Sequence, residues 1–500
     1  MTRTSEVDAS NDVTIVDTGV RAYPSLPPFD PPERYPELPA GIERIDAGNA
    51  VYSGVREVLR SLGFDVYRYG TADWNPLGVL IRPGDRVVVK PNIVRDFHGA
   101  NLGLDALVTH GSIVRAILDY VVIALKGEGE IVVGDSPLQY SYFEAAVDRA
   151  GVGAAVEAVG RYAGVALKLL DFRIERSEKR GGIIVDRIRN GGDPEGYRVV
   201  DLGEASRFAG IPIERSERFR VTQYDPSTMK RAHNAATHAY LVPASVLKSD
   251  VFINLPKLKT HRKAGITAAM KNLVGINGSK DWLPHHTSGA RADGGDEYLR
   301  RSARKRLVSY IRDRIEGRRG VAPRRALHFL ERAVKATRRV APFPDPYWEG
   351  SWHGNDTLWR MVHDLHRVLF YADAEGRLHD RPRRRYLALV DAVVAGEGEG
   401  PMRPAPRPIG LLIGGTNPAA VDLVCCRLIG FDERKIPLLS HAIGNGVHPG
   451  VASLESIRVI SPDGRWDNLF ALARDRTLRF VPPAGWAGAI EMDGMEALAR

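Results

Sequence analysis

The sequence predicts an α/β fold: a mostly parallel central sheet flanked by helices, with a strand-rich insertion and a basic helical insertion. Three observations carry this. Short apolar runs at Arg86 to Lys90, Ile131 to Val133, Val251 to Leu255, Leu387 to Val390 and Ile409 to Ile413 have the length of buried strands. Segments of helical periodicity separate them, such as Ser112 to Lys126 between the first two. Each run ends in polar residues set among Gly and Pro, where open α/β sheets place their ligands.

With 500 residues the chain exceeds one compact core, which implies a large domain with insertions or two domains. A composition of 44% hydrophobic and 26% charged residues is that of a soluble globular protein. The net charge of +9 is local: Arg300 to Arg339 holds 15 Lys and Arg against three acids. The remainder is slightly acidic, so a nucleic-acid footprint is disfavoured. The two cysteines, Cys425 and Cys426, are adjacent in an apolar run and are expected to be buried free thiols; they cannot complete an iron–sulfur cluster. With no signal-like apolar leader and no run of about 18 apolar residues, a cytoplasmic location is expected.

Taken in order, residues 1–45 read as an extended or disordered Pro-rich leader, and the core domain as 46–290 with 341–462. A helix is expected at Val51 to Leu62. The strand RVVVKPN then ends on Lys90 and Asn92, beside a proline that cannot donate to a ladder. Thr109, His110 and Gly111 precede the next helix, and Asp135 and Ser136 follow the next strand, with capping of a helix near Tyr142 as the alternative for Asp135. Residues 173–233 read as a strand-rich excursion.

The densest polar stretch is Asp250 to Lys280, where a strand leads into Asn254, Lys257, Lys259, Thr260, His261, Lys271 and Asn272. Gly265 to Val274 has helix-like spacing. Like charges so close together are costly unless an anion or carboxylate lies between them. Solvated lysines on a surface loop are the alternative. Trp282, His285 and His286 suit a lid or a solvated loop.

The basic insertion, 291–340, reads as two amphipathic helices broken at Gly317 to Pro323. They present either a solvated face or one that meets an anionic membrane surface or an acidic protein. Asn355 to Tyr371 is a helix on which Asp364 suits an exposed ion pair with Arg360 or Arg367. After the strand ending near Asp391, Glu397 and Glu399 sit on a Gly-rich loop that suits Mg²⁺ or another divalent metal, or else a solvated turn. The strand before GGTNP delivers Asn417 to a helix start fit for an anion, or for simple capping. Residues 463–500 read as a C-terminal appendage.

Several of these junctions resemble the domain-of-unknown-function family 362. They are KPN at 90–92, TH at 109–110, GDSP at 134–137, INLPKLKTH at 253–261, MKNLVG at 270–275, VDAVVAGEGEGP at 390–401 and NPAAVD at 417–422. The resemblance implies a shared domain and little chemistry. Some members look like iron–sulfur proteins through an added ferredoxin module, and others look exported by a twin-arginine signal; this sequence carries neither pattern, so no cluster is expected.

On the residues themselves, the first expectation is an enzyme acting on a small molecule bearing phosphate or carboxylate. Lys90, Asn92, Asn254, Lys257, Lys271, Asn272 and Asn417 would bind substrate, and His261, Lys259, Asp135 and His110 would serve catalysis. Asp391 and Glu397 would hold the metal. The alternatives are a non-catalytic metabolite-binding protein docked by its basic helices, and an oxidoreductase with a bound organic cofactor.

Overall fold

A computed structural model of the chain describes residues 10–180, 183–221, 226–316, 321–444 and 450–492. Ten strands build the main sheet: β1 (Asp12–Asp17), β2 (Arg86–Pro91), β3 (Glu130–Asp135), β4 (Ala166–Asp171), β5 (Val251–Leu255), β6 (Lys257–His261), β7 (Gly265–Thr267), β8 (Arg385–Glu399), β9 (Arg403–Gly415) and β10 (Arg458–Ile460). Eight of them lie in the order β10-β1-β9-β8-β5-β2-β3-β4, while β6 pairs with β8 and with β7. Strands β8, β5, β2, β3 and β4 are parallel neighbours, whereas β9 runs antiparallel to both β8 and β1. The fold is α/β around a mostly parallel mixed sheet.

Seven helices matter for the site and its surroundings: α1 (Ala50–Ser61), α2 (Gly111–Leu125), α3 (Ala269–Asn272), α4 (Ala303–Glu316), α5 (Val321–Ala336), α6 (Leu358–Tyr371) and α7 (Pro418–Leu428). Strand side chains alternate between two cores. Val87, Val89, Val251 and Ile253 pack with α1 and α2, while Val88 and Phe252 pack with α6 and α7. Burial on both faces explains why these strands read as continuous apolar runs. The same alternation turns Lys90 and its register partner Asn254 to the α6 and α7 side, at the carboxyl edge of the sheet.

Several expectations are corrected. The leader is not disordered where it is described: Val13, Ile15 and Val16 are buried, so β1 fills the place between β9 and β10. The Pro-rich part beyond it is a strap across the core, with Phe29 buried and Glu37 accepting from Arg56 at 2.7 Å. Gly265 to Val274 is not one helix: Gly265 has φ +79°, β7 returns on β6, and only the single turn α3 and a 3₁₀ turn follow. The excursion is three separate two-stranded pairings, not one subdomain, and two of them use strands outside 173–233. The C-terminal segment is part of the core, contributing Trp466, Phe480, Trp486 and Ile490.

Asp364 is buried rather than exposed, accepting from Ser206 Oγ at 2.5 Å and Tyr240 OH at 2.9 Å, and burial pushes its carboxyl up to about 6. The expected break between α4 and α5 lies partly outside the described residues.

Candidate functional site

Because β2, β3, β5 and β8 are parallel, their carboxyl ends share one edge, and the loops that follow them meet there. Asn272, on α3, is the hub. Its Oδ1 accepts from Asn92 Nδ2 at 2.7 Å and from Lys90 Nζ at 3.2 Å, and its Nδ2 donates to Asn254 Oδ1 at 2.7 Å. Asp422 of α7 holds α3 in place by accepting from the amides of Ala269 (2.6 Å) and Met270 (3.0 Å). Asp135 ties the β2 and β3 loops together, accepting from Ile93 N at 2.6 Å and Ser136 N at 2.8 Å while pairing with Lys90 at 2.8 Å. Gly275 crosses directly above this pair, and a Cβ there would collide with Asp135 Oδ1 and Lys90 Nζ.

Above the hub lies a cavity of ≈ 370 Å³. Four lysines line it: Lys259, Lys263, Lys271 and Lys280. Lys259 donates to Asn92 Oδ1 at 2.5 Å and to Leu107 O, and Lys280 donates to Val274 O at 2.9 Å. Among the described residues, the Lys271 amine has no carboxylate within ion-pair range and makes no hydrogen bond to protein.

Burial first, and the neighbouring ammonium groups second, push Lys271 down to about 7. Burial likewise lowers Lys280 to about 7, Lys263 to about 8, and Lys259 well below its usual range. The hydroxyls of Ser136 and Thr267, both buried on the cavity wall, have no partner among the described residues. Apolar side chains, Ile93, Val94, Leu138 and Met402 among them, complete the wall.

Two imidazoles in the wall are locked in opposite tautomers. His261 Nδ1 accepts from the amides of Lys263 (3.0 Å) and Ala264 (3.1 Å), so the neutral ring carries its proton on Nε2. His285 Nδ1 lies 2.7 Å from Leu283 O, and a carbonyl only accepts, so this ring keeps a free lone pair on Nε2. Burial and the surrounding lysines hold both rings well below the usual histidine range, hence neutral. His261 Nε2–H is thereby a hydrogen-bond donor, and His285 Nε2 is an acceptor.

The predicted residues divide accordingly. Asn92, Asp135, Lys259, His261, Lys271 and Asn272 line the cavity, with Lys90 and Asn254 in the hydrogen-bonded layer attached to them. Lys257 and Asp391 meet, as register partners joined at 2.6 Å, but both are 0% exposed and neither lines the cavity. Tyr23 OH donates to the other Asp391 oxygen at 2.6 Å, and the His110 amide donates to the one facing Lys257 at 3.0 Å.

His110 is the N-cap of α2, stacked on Tyr23, and lies outside the cavity wall. Glu397 does not join Asp391: six residues farther along an extended strand is roughly 20 Å, and its carboxylate accepts from Val481 N at 3.0 Å. The acidic loop is itself strand, pairing with β9, so it offers no shared metal ligands there; among the described residues no group of three or more His, Cys, Asp or Glu could hold a metal ion.

Asn417 is also excluded. Since β9 is antiparallel, its carboxyl end points to the opposite edge of the sheet, where Asn417 caps α7 by accepting from Ala419 N at 2.9 Å. Sequence reasoning missed Lys263 and Lys280 as cavity-lining residues, and the fixed tautomer of His285. The signal for the first two was their place in the same Lys-rich stretch, whereas the tautomers depend on backbone geometry.

A family model described as Domain of unknown function (DUF362) matches residues 178–427, half of the chain. The matched stretch includes the cavity lysines and both imidazoles, while Lys90 and Asp135 precede it. The chain is also similar to the thylakoid-associated protein sll1697 of Synechocystis sp. (strain ATCC 27184 / PCC 6803 / Kazusa), at 21% identity over 379 residues, covering 76% of this chain and 73% of the relative. The protein belongs to the DUF362 family.

Proposed function

We propose that the cavity is the active site of an enzyme acting on a small anionic substrate, with a phosphate or carboxylate head and an apolar body. The observation that carries this is Lys271: among the described residues, a buried amine with no protein partner, beside three other lysines, in a cavity whose wall leaves two hydroxyls unsatisfied. Without a ligand this crowding is unfavourable, and an anion relieves it. The apolar wall suits the rest of the molecule. His285 Nε2 would take a proton from the bound substrate, while His261 Nε2–H and the lysines stabilise the negative charge that develops.

Anion binding should couple to proton uptake, because Lys271 and Lys280 are charged below about 7 and neutral above it. Affinity is therefore highest on the acidic side and is lost as pH rises through the amine range. Thermal-shift titration with inorganic phosphate and with a panel of small carboxylates, at mildly acidic and mildly alkaline pH, tests this. The expected result is stabilisation by at least one anion, larger at the lower pH and absent in Lys271→Ala. Equal shifts in Lys271→Ala and wild type would remove the reading. For an anion that binds, NMR-detected proton exchange in D₂O that disappears in His285→Gln separates catalysis from binding alone.

A further inference from the structure

The basic insertion is a different feature, on the outside of the molecule. Helices α4 and α5 lie antiparallel: Arg304 near the start of α4 donates to Thr337 Oγ1 and Ala341 O just past the end of α5, at 3.0 and 2.7 Å, and Arg312 pairs with Glu331 at 2.8 Å. Their inner faces are anchored. Lys305 is buried against Asp345 at 2.5 Å, Val308, Ile311 and Ile315 are buried, and Arg312 meets Glu349 at 2.5 Å beside the cavity.

The outer faces are unlike a solvated helix. Leu307 and Tyr310 on α4, Phe329 and Leu330 on α5, and Val340 just beyond are exposed, Phe329 at 76% and Val340 at 92%. These are five of the sixteen large apolar side chains exposed among the described residues, within a stretch of 34. Singly exposed apolar side chains are ordinary; such a concentration is not.

The charges on the same faces are of one sign. Arg306 and Arg314 are exposed on α4 with Leu307 and Tyr310, and Arg325 and Arg332 on α5 flank Phe329 at helical spacing. The two acids of α4 and α5 whose side chains are described are already engaged, Asp313 by Arg220 at 2.9 Å and Glu331 by Arg312, so they do not neutralise the outer faces. A solvated surface helix alternates signs. Arginines interleaved with exposed aromatic and aliphatic side chains match an interface that is anionic at its surface and apolar just beneath.

We propose that α4 and α5 dock this protein onto an anionic lipid bilayer, with Phe329, Leu330, Tyr310 and Val340 entering the headgroup boundary and the arginines pairing with lipid phosphates. No helix among the described residues is long and apolar enough to cross a membrane, so attachment is peripheral. The proposal is independent of what the cavity binds.

Flotation of the full-length protein with phosphatidylcholine vesicles, with and without phosphatidylglycerol, tests it. The expected result is binding only to the vesicles containing phosphatidylglycerol, weakened by salt. Phe329→Ser/Leu330→Ser should weaken binding by at least about tenfold, since it removes apolar insertion while keeping every charge. These side chains are exposed, so circular dichroism and the melting temperature should match wild type. Absence of flotation with the anionic vesicles at low salt would overturn the proposal. So would unchanged binding by the double variant, which would mark the helices as a general polyanion surface, the behaviour expected for an acidic protein partner.

Discussion

Two lysines from one stretch of sequence, Lys257 and Lys271, have opposite fates. Lys257 is completely buried with a carboxylate at 2.6 Å and a tyrosine hydroxyl beside it, and every acceptor it needs is protein. Lys271 is nearly as buried, has no such partner, and faces open volume. The difference teaches how to separate structural from functional charge in a buried cluster. An ion pair between neighbouring strands fixes register, whereas a buried cation left without a counter-charge is a candidate contact for a ligand.

The contrast can be broken first at Asp391. Replacing it by Ala leaves the Lys257 ammonium buried without its counter-charge, and urea unfolding should show a loss of about 3–5 kcal/mol. Most of that should return in Lys257→Met/Asp391→Leu, where no buried charge remains. If Asp391→Ala instead abolishes anion binding at unchanged stability, the assignment of that pair to structure is wrong.

Next is Gly275→Ala, whose methyl collides with the Asp135–Lys90 pair under the cavity floor. A destabilisation of about 1–3 kcal/mol is expected, together with loss of the anion-induced thermal shift, because the floor must move. A neutral outcome would show that the floor adapts. The smallest loss should come from Lys271→Ala, which should resist urea unfolding at neutral pH at least as well as wild type. The sign follows from linkage: an amine held down to about 7 in the folded state binds fewer protons than in the unfolded chain, so at neutral pH it costs stability, a cost that fades as pH rises. A large loss in Lys271→Ala would place it with Lys257.

Much of this was legible in the sequence. Short apolar runs ending in polar junctions specify a parallel sheet, and the cluster of Lys, Asn and His after Leu255 supplies much of the cavity wall. Lys257 and Asp391, read from the sequence as a substrate ligand and a metal ligand, do meet, but as a closed ion pair outside the cavity wall. Asn417 was misplaced because a strand-to-loop junction looks the same whether its strand runs parallel or antiparallel. Glu397 was misplaced because a Gly-rich acidic run reads as a loop, while pairing along β8 and β9 keeps it extended. The leader's DVTIVD was hidden by the Pro-rich stretch that follows it.

By itself, then, the sequence determined the class of fold and the gathering of polar and cationic residues where its strands end, because strand length, helix period and residue charge are local properties. Only the tertiary structure decided which cations are neutralised within the protein, which imidazole donates and which accepts, and which faces of the basic helices remain uncovered. Those depend on strand direction, on burial and on hydrogen bonds between residues far apart in the chain, as when Asp391 reaches Lys257 and Tyr23, and no local pattern encodes them.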